Sequence, residues 1–309
     1  MVPFRSILVP LDGSALAEKS LAPALQLARA MAGRVSEGSV RLILLRVVGP
    51  VALVAADPML YDELMRMGVD EAQAYLRTVL QTVDAGPLHV EVQAVSGAPA
   101  DAIVRYAEEH DVDLIVMSSH GRTGSSRWVY GSVAEKVLHH APCATVIIRA
   151  HVAVAMFQNR KILVPLDGSP LAERALEPAL AIAEAVQSDV TLLRVAPGRE
   201  PLPQTMLPSG EDLGVARDIA AAQERAEAEA YLQRIYAARA NRHLFFDVVT
   251  TGGDIADAIV SYADERHMDL IVMSSHGRSG IGRWLHGSVA EKVLRGADCA
   301  TLIIRGSLT

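Results

Sequence analysis

Apolar positions along the chain come in short runs separated by stretches of helical period. SILVPL at 6–11 is a β-branched run, and SALAEKSLAPALQLARAMAG at 14–33 follows with helical spacing. RLILLRVV at 41–48 is a second apolar run. YDELMRMGVDEAQAYLRTVLQTV at 61–83 is an amphipathic helix, and VEVQAV at 90–95 alternates with period 2. PADAIVRYAEEH at 99–110 is helical, DLIVMSS at 113–119 is a strand, GSVAEKVLHHA at 131–141 is helical, and ATVIIR at 144–149 is a last strand. The pattern predicts five strands and four helices. Runs that are apolar on both faces suit interior parallel strands covered by helices, whereas VEVQAV suits an edge. Pro23, inside the first helix, predicts a kink or a late start of the regular turns.

The same pattern then recurs. ILVPLDGS at 7–14 returns at 162–169, and DAIVRYA at 101–107 returns as DAIVSYA at 257–263. DLIVMSSHGR at 113–122 returns at 269–278, and CATVIIR at 143–149 returns as CATLIIR at 299–305. Pro178 repeats Pro23. A repeat of this size means two whole domains rather than a solenoid of small units. The expected domains are 1–150 and 159–309. The apolar link between them, AHVAVAMFQN, is expected to lie against the protein. The halves differ most at 197–210, which carries four prolines and predicts an irregular loop, followed by a solvated amphipathic helix over about 211–240. Alternating βα units with short connections imply a doubly wound α/β sheet in each half.

In such a sheet ligands sit beyond the carboxyl ends of the strands, where strand order reverses. Asp12 and Asp167 follow the first strand of each half, and Ser118 and Ser274 end the fourth. A glycine loop begins there, with Gly121 and Gly124 in one half and Gly277 and Gly280 in the other. Glycine lets the backbone approach a ligand closely. Gly131-Ser132 and Gly287-Ser288 then open a helix, whose free amides and partial positive charge suit phosphate. Arg122, Arg127, Arg278 and Arg283 could pair with phosphate or be plain surface residues. Ser132-Val-Ala-Glu135 and Ser288-Val-Ala-Glu291 also fit a capping box, which alone would explain both serines. Asp12-Gly13-Ser14 also fits a simple turn and helix start. His120 and His276 flank the glycines without a nearby metal set, Trp128 and Trp284 suit packing of the loop, and Cys143 and Cys299 suit small buried positions.

Composition narrows the picture. The chain has 309 residues, half of them hydrophobic, which is ample for two cores, and aromatics make up only 4%. The net charge of −7, with acidic and basic residues interspersed, argues against nucleic-acid binding by broad electrostatics. No apolar run approaches membrane-spanning length, and the first residues lack a secretion pattern, so a cytoplasmic location is expected. Neither GxxxxGK[ST] nor an intact GxGxxG after the first strand occurs, which excludes a P-loop enzyme and disfavours a dinucleotide fold.

These residues resemble the universal stress protein family in its tandem, two-domain form, over nearly the whole chain. ATP-binding members carry Gly, two residues, Gly, nine residues, then Gly-Ser or Gly-Thr. Here Gly121 and Gly131-Ser132 match, as do Gly277 and Gly287-Ser288, while Ser118 and Ser274 replace the first glycine. The resemblance implies that Asp12 and Asp167 stand at the nucleoside end and that Val47 and Val195 touch the base. The neighbours Pro10, Leu11, Val133, Pro165, Leu166 and Val289 join the same implied site. It further implies sheet order 3-2-1-4-5, pairing of the halves through their last strands as a pseudo-dimer, and association of two chains. An unpaired apolar final strand would be an exposed edge, an independent reason for that pairing. The implied function is ATP binding, accompanied by Mg²⁺, once per half in a stress-response or signalling protein with unknown protein partners. A slow ATPase or autophosphorylating enzyme and a nucleotide-free interaction protein are the alternatives.

Overall fold

The computed structural model describes residues 4–34, 40–50, 58–86, 88–119, 131–149, 156–198, 212–239, 243–276 and 288–306. The first half contains β1 (Ser6–Pro10), α1 (Ala15–Glu18), α2 (Leu21–Ala32), β2 (Arg41–Val48), α3 (Pro58–Thr82), β3 (His89–Ser96), α4 (Pro99–Glu109), β4 (Leu114–Ser118), α5 (Ser132–His140) and β5 (Ala144–Ile148). The second contains β6 (Lys161–Pro165), α6 (Pro170–Glu173), α7 (Leu176–Val186), β7 (Asp189–Pro197), α8 (Asp212–Arg239), β8 (Leu244–Thr251), α9 (Ile255–Glu265), β9 (Leu270–His276), α10 (Ser288–Gly296) and β10 (Ala300–Gly306).

Strand periodicity translates directly into layers. Successive side chains of a strand point to opposite faces. Ile7 and Val9 join one core while Leu8 joins the other, and Leu42 and Leu44 are likewise separated from Ile43 and Leu45. The first core packs under α2, α3, α7 and α8; the second packs under α4, α5, α9 and α10. Each half is therefore a sheet covered on both faces. The alternating strand at 90–95 lies at an edge, in β3, with its partly exposed positions toward water.

The ten strands among the described residues form one sheet in the order β3-β2-β1-β4-β5-β10-β9-β6-β7-β8. Each half has the order 3-2-1-4-5. Pairing is parallel within a half and antiparallel between β5 and β10, with Leu302 opposite Val146 and Thr301 opposite Ile147. Val146 and Leu302 are completely buried. The two apolar final strands thus remove each other's open edge, and the pseudo-dimer is a single continuous sheet. An Arg34–Glu184 ion pair of 2.7 Å joins the turn after α2 to α7 across the same junction.

The first helix of each half is two helices. α1 stops at Glu18 and α2 restarts at Leu21; α6 stops at Glu173 and α7 restarts at Leu176. Pro23 and Pro178 stand third in the restarted helices, where a missing N–H breaks no intrahelical bond. They mark the late start that the sequence suggested. Met156 and Phe157, the described end of the link, are buried in the core. Of the predicted loop at 197–210, Pro197 ends β7 and residues 199–210 lie outside the described residues; the helix beyond it runs over Asp212–Arg239.

Candidate functional site

Each half carries a cleft at the carboxyl ends of its central strands, beside the point where the order reverses between the first and fourth strands. In the first half the chain leaves β1 through Leu11, whose amide donates to Leu45 O at 2.8 Å. Asp12 then accepts from the Ser14 amide at 2.9 Å and from Ser14 Oγ at 2.6 Å. Ser14 in turn caps α1 by accepting from the Ala17 amide at 3.1 Å. Gly13 between them has φ of +84°, and its counterpart Gly168 has +86°, a region that favours glycine. Asp12-Gly13-Ser14 is thus a turn and a helix start, and it also sets a carboxylate at the cleft rim. Asp167 repeats the arrangement by accepting from the Ser169 amide at 2.8 Å.

The first cleft, of about 250 Å³, gathers Pro10, Leu11, Asp12, Val47, Ser118, Gly131, Ser132 and Val133. The second, of about 370 Å³, gathers Pro165, Leu166, Asp167, Val195, Ser274, Ser288 and Val289. Every described candidate residue of each half therefore meets in one place. Gly121, Arg122, Gly124, Gly277, Arg278, Gly280 and Gly287 lie outside the described residues, as do His120, Arg127, Trp128, Arg283 and Trp284.

The helix start at Gly131 corrects one reading. Gly131, with extended backbone at φ −61° and ψ 144°, is the N-cap; no side chain caps the helix, and Ser132 is the first helical residue. The Ser132–Glu135 capping box is not formed. As the geometry of an opening turn dictates, the amides of Ser132 and Val133 have no acceptor within the helix. The Gly131 amide donates to Ser119 O at 2.8 Å, which pins the helix start to the end of β4. The opening turn of α5 lines the cleft, and amides at a helix start suit an anion.

The serines in place of the signature glycine are accommodated. Ser274 Oγ donates to Leu171 O at 2.5 Å, so its hydroxyl ties β9 to α6. Ser118 is buried at the end of β4. Next to Ser274, Ser275 Oγ is buried at the cleft wall without a partner among the described residues.

Sequence reasoning missed the apolar walls: Leu45, Ile103 and Met117 in one cleft, and Leu193, Ile259 and Met273 in the other. Their recurrence in both halves was available as a signal. It also missed a buttress behind the aspartate turn. The Arg46 guanidinium lies 4.5 Å from the Tyr75 ring centre, and Tyr75 donates to Glu18 at 2.6 Å. Arg194 donates to Leu166 O at 3.2 Å, and Tyr231 donates to Glu173 at 3.1 Å. Burial and the neighbouring glutamate push both phenols well above their ordinary range, so they stay neutral donors. Cys299 is buried, while Cys143 is only half-buried, one residue before its strand. Among the described residues no cluster of His, Cys, Asp and Glu could hold a metal, and no helix is long and apolar enough to cross a membrane.

A rim carboxylate, an apolar slot and a bordering helix, present in each of two doubly wound lobes, define a tandem α/β protein with two clefts suited to a flat apolar group bearing an anionic tail. The chain belongs to the universal stress protein family, which it matches over residues 3–149 and again over 158–305. It is 29% identical over 303 residues to universal stress protein Rv2623 of Mycobacterium tuberculosis, covering 93% of this chain and 94% of that one. Universal stress protein MJ0531 of Methanocaldococcus jannaschii is 29% identical over 148 residues, 47% of this chain and 82% of its own. The crystal structure of a universal stress protein from Archaeoglobus fulgidus shares the fold, with a TM-score of 0.68 at 21% identity, covering 97% of this chain and 98% of that one.

Proposed function

We propose that the protein binds ATP once in each lobe, in the stretches 1–150 and 159–309, and that binding changes which protein partners its surface accepts. The observation that carries this reading is the convergence of every described candidate residue on one cleft per lobe. The base would lie on Val47, Leu45 and Met117, with Asp12 at the nucleoside end and the phosphates over the opening turn of α5. Val195, Leu193, Met273, Asp167 and α10 would do the same in the second lobe. Magnesium would accompany the phosphates. A switch of partners requires that ATP favour one of two states by its differential affinity. A cytoplasmic protein that associates as two chains is the setting in which we place this activity.

Purified protein, denatured and analysed by anion exchange, should release adenine nucleotide at about two per chain. Ser132→Glu and Ser288→Glu place a carboxylate where phosphate would sit, while keeping an acid at a helix start, where it is tolerated. Each should halve the retained nucleotide, and the pair should abolish it. A wild-type chain that neither carries nor takes up ATP would refute the reading and leave a nucleotide-free interaction protein. ATP turnover lost in the same variants would instead mark a slow ATPase.

A further inference from the structure

We infer that Arg149 and Arg305 are positioning residues that tie each cleft to the helix opening the opposite cleft, so that the two sites bind as a coupled pair. This rests on the nucleotide reading above. In the first lobe the Ser119 amide, at the cleft wall, donates to Ile148 O at 2.8 Å, at the end of β5. The next residue, Arg149, crosses into the second lobe. Its Nη1 donates to Ala297 O at 2.9 Å and stands 3.9 Å from Asp298, and its Nη2 donates to Arg295 O. Those carbonyls close the C-terminal end of α10. The Arg149 side chain is only 11% exposed, so the clamp is largely shielded from water.

The reverse link exists too. Arg305 lies on β10 in register with Ser275 of the second cleft, and its Nη2 donates to Leu138 O in the last turn of α5. Both helices therefore have each end engaged. The first turn of α5 faces the cleft of its own lobe, while its last turn is held by an arginine rooted beside the other cleft. A helix of nine residues spans only about 13 Å, a length over which it moves as a rigid rod. Guanidinium groups at helix C-termini also satisfy carbonyls that have no intrahelical donor and complement the helix dipole. A shift of α10 toward a bound phosphate must be followed by Arg149, and with it by the end of β5 and Ser119. The shift of α5 is followed in the same way by Arg305 and Ser275.

A purely structural clamp would change stability and leave each cleft's affinity to its own lobe. The test reads one lobe at a time, by calorimetric titration with ATP and magnesium. In a Ser132→Glu chain, where the first cleft stays empty, the second cleft should differ in ATP affinity by about fivefold or more from the same cleft in a chain whose first site is filled, and Arg149→Met should bring the two within about twofold. In a Ser288→Glu chain, the first cleft should differ in the same way, and Arg305→Met should remove the difference. Arg149→Lys, which keeps a donor and the charge, should recover part of the difference. Affinities already within about twofold with both arginines in place overturn the coupling. A parent chain that takes up no ATP overturns the nucleotide reading, and the coupling of ATP sites with it. Hydrogen exchange separates the two failures. If the clamp positions α10, its opening-turn amides exchange faster in Arg149→Met; unchanged exchange overturns the clamp itself.

Discussion

Replacing Ser274 tests how the cleft tolerates a side chain where ATP-binding relatives carry glycine. Ser274→Ala removes the bond from Oγ to Leu171 O. A neutral hydrogen bond contributes about 1 kcal/mol net, and Ser274 is only half-buried, so water can reach the released carbonyl. The expected loss is therefore about 1 kcal/mol. Ser274→Gly loses the same bond and adds the backbone entropy of glycine in a strand, about 0.5–1 kcal/mol, for a total of about 1.5–2 kcal/mol. Urea unfolding should show both losses as lower midpoints at unchanged slope. The two variants should part in binding. Glycine restores the family pattern and clears a Cβ from beside the second cleft, so its ATP affinity should equal or exceed that of wild type despite the lower stability. Two results would refute the reasoning: no loss in Ser274→Ala, or weaker ATP binding in Ser274→Gly than in Ser274→Ala.

Other outcomes follow from the same geometry. Gly13→Ala and Gly168→Ala force a Cβ onto left-handed backbone, at about 1 kcal/mol each. At Gly13 the new atom also meets the Arg46 guanidinium at 3.3 Å, against 3.6 Å to Arg194 at Gly168, so urea midpoints should rank Gly13→Ala as the more damaging. Burial pushes the Cys143 and Cys299 thiols up to about 12, so iodoacetamide at pH 8 should label neither in native protein and both in urea, as read by intact mass. Rapid native labelling would contradict the burial. Asp254 caps α9 by accepting from the Ala256 amide at 2.8 Å, and its pairing with Lys292, first, and that amide bond hold the carboxyl below the usual range. Its contribution is therefore present at neutral pH and lost as pH falls through the lowered value. The exposed pair should be strongly salt-screened, and Lys292→Met should return the carboxyl toward its ordinary value in an NMR titration.

Much of the site was legible because its parts are local. Asp12-Gly13-Ser14 is a three-residue turn, and Gly131-Ser132 is a helix start; both write their geometry into neighbouring residue types. Ser132 shows the limit. Ser-Val-Ala-Glu is compatible with a capping box or with a helix begun one residue earlier. Only the bond from the Gly131 amide to Ser119 O, which fixes the chain's entry into α5, decides between them. Arg46 was not singled out, because nothing in its own neighbourhood announces Tyr75.

By itself the sequence determined the two lobes, the alternation of strands and helices and the edge character of β3, and its apolar final strands supported the pairing that the family resemblance implied. These follow from periods of two and 3.6 residues, from a repeat that recurs in order, and from the cost of an exposed apolar edge. The tertiary structure alone decided that Ser274 spends its hydroxyl on Leu171, that the N-cap of α5 is Gly131 rather than Ser132, and that Arg149 and Arg305 reach the helix ends of the opposite lobe. Those are contacts between residues more than 100 positions apart or choices between near-equal local states. Backbone periodicity carries no information about such pairs; packing the whole chain into one sheet brings them within bonding distance.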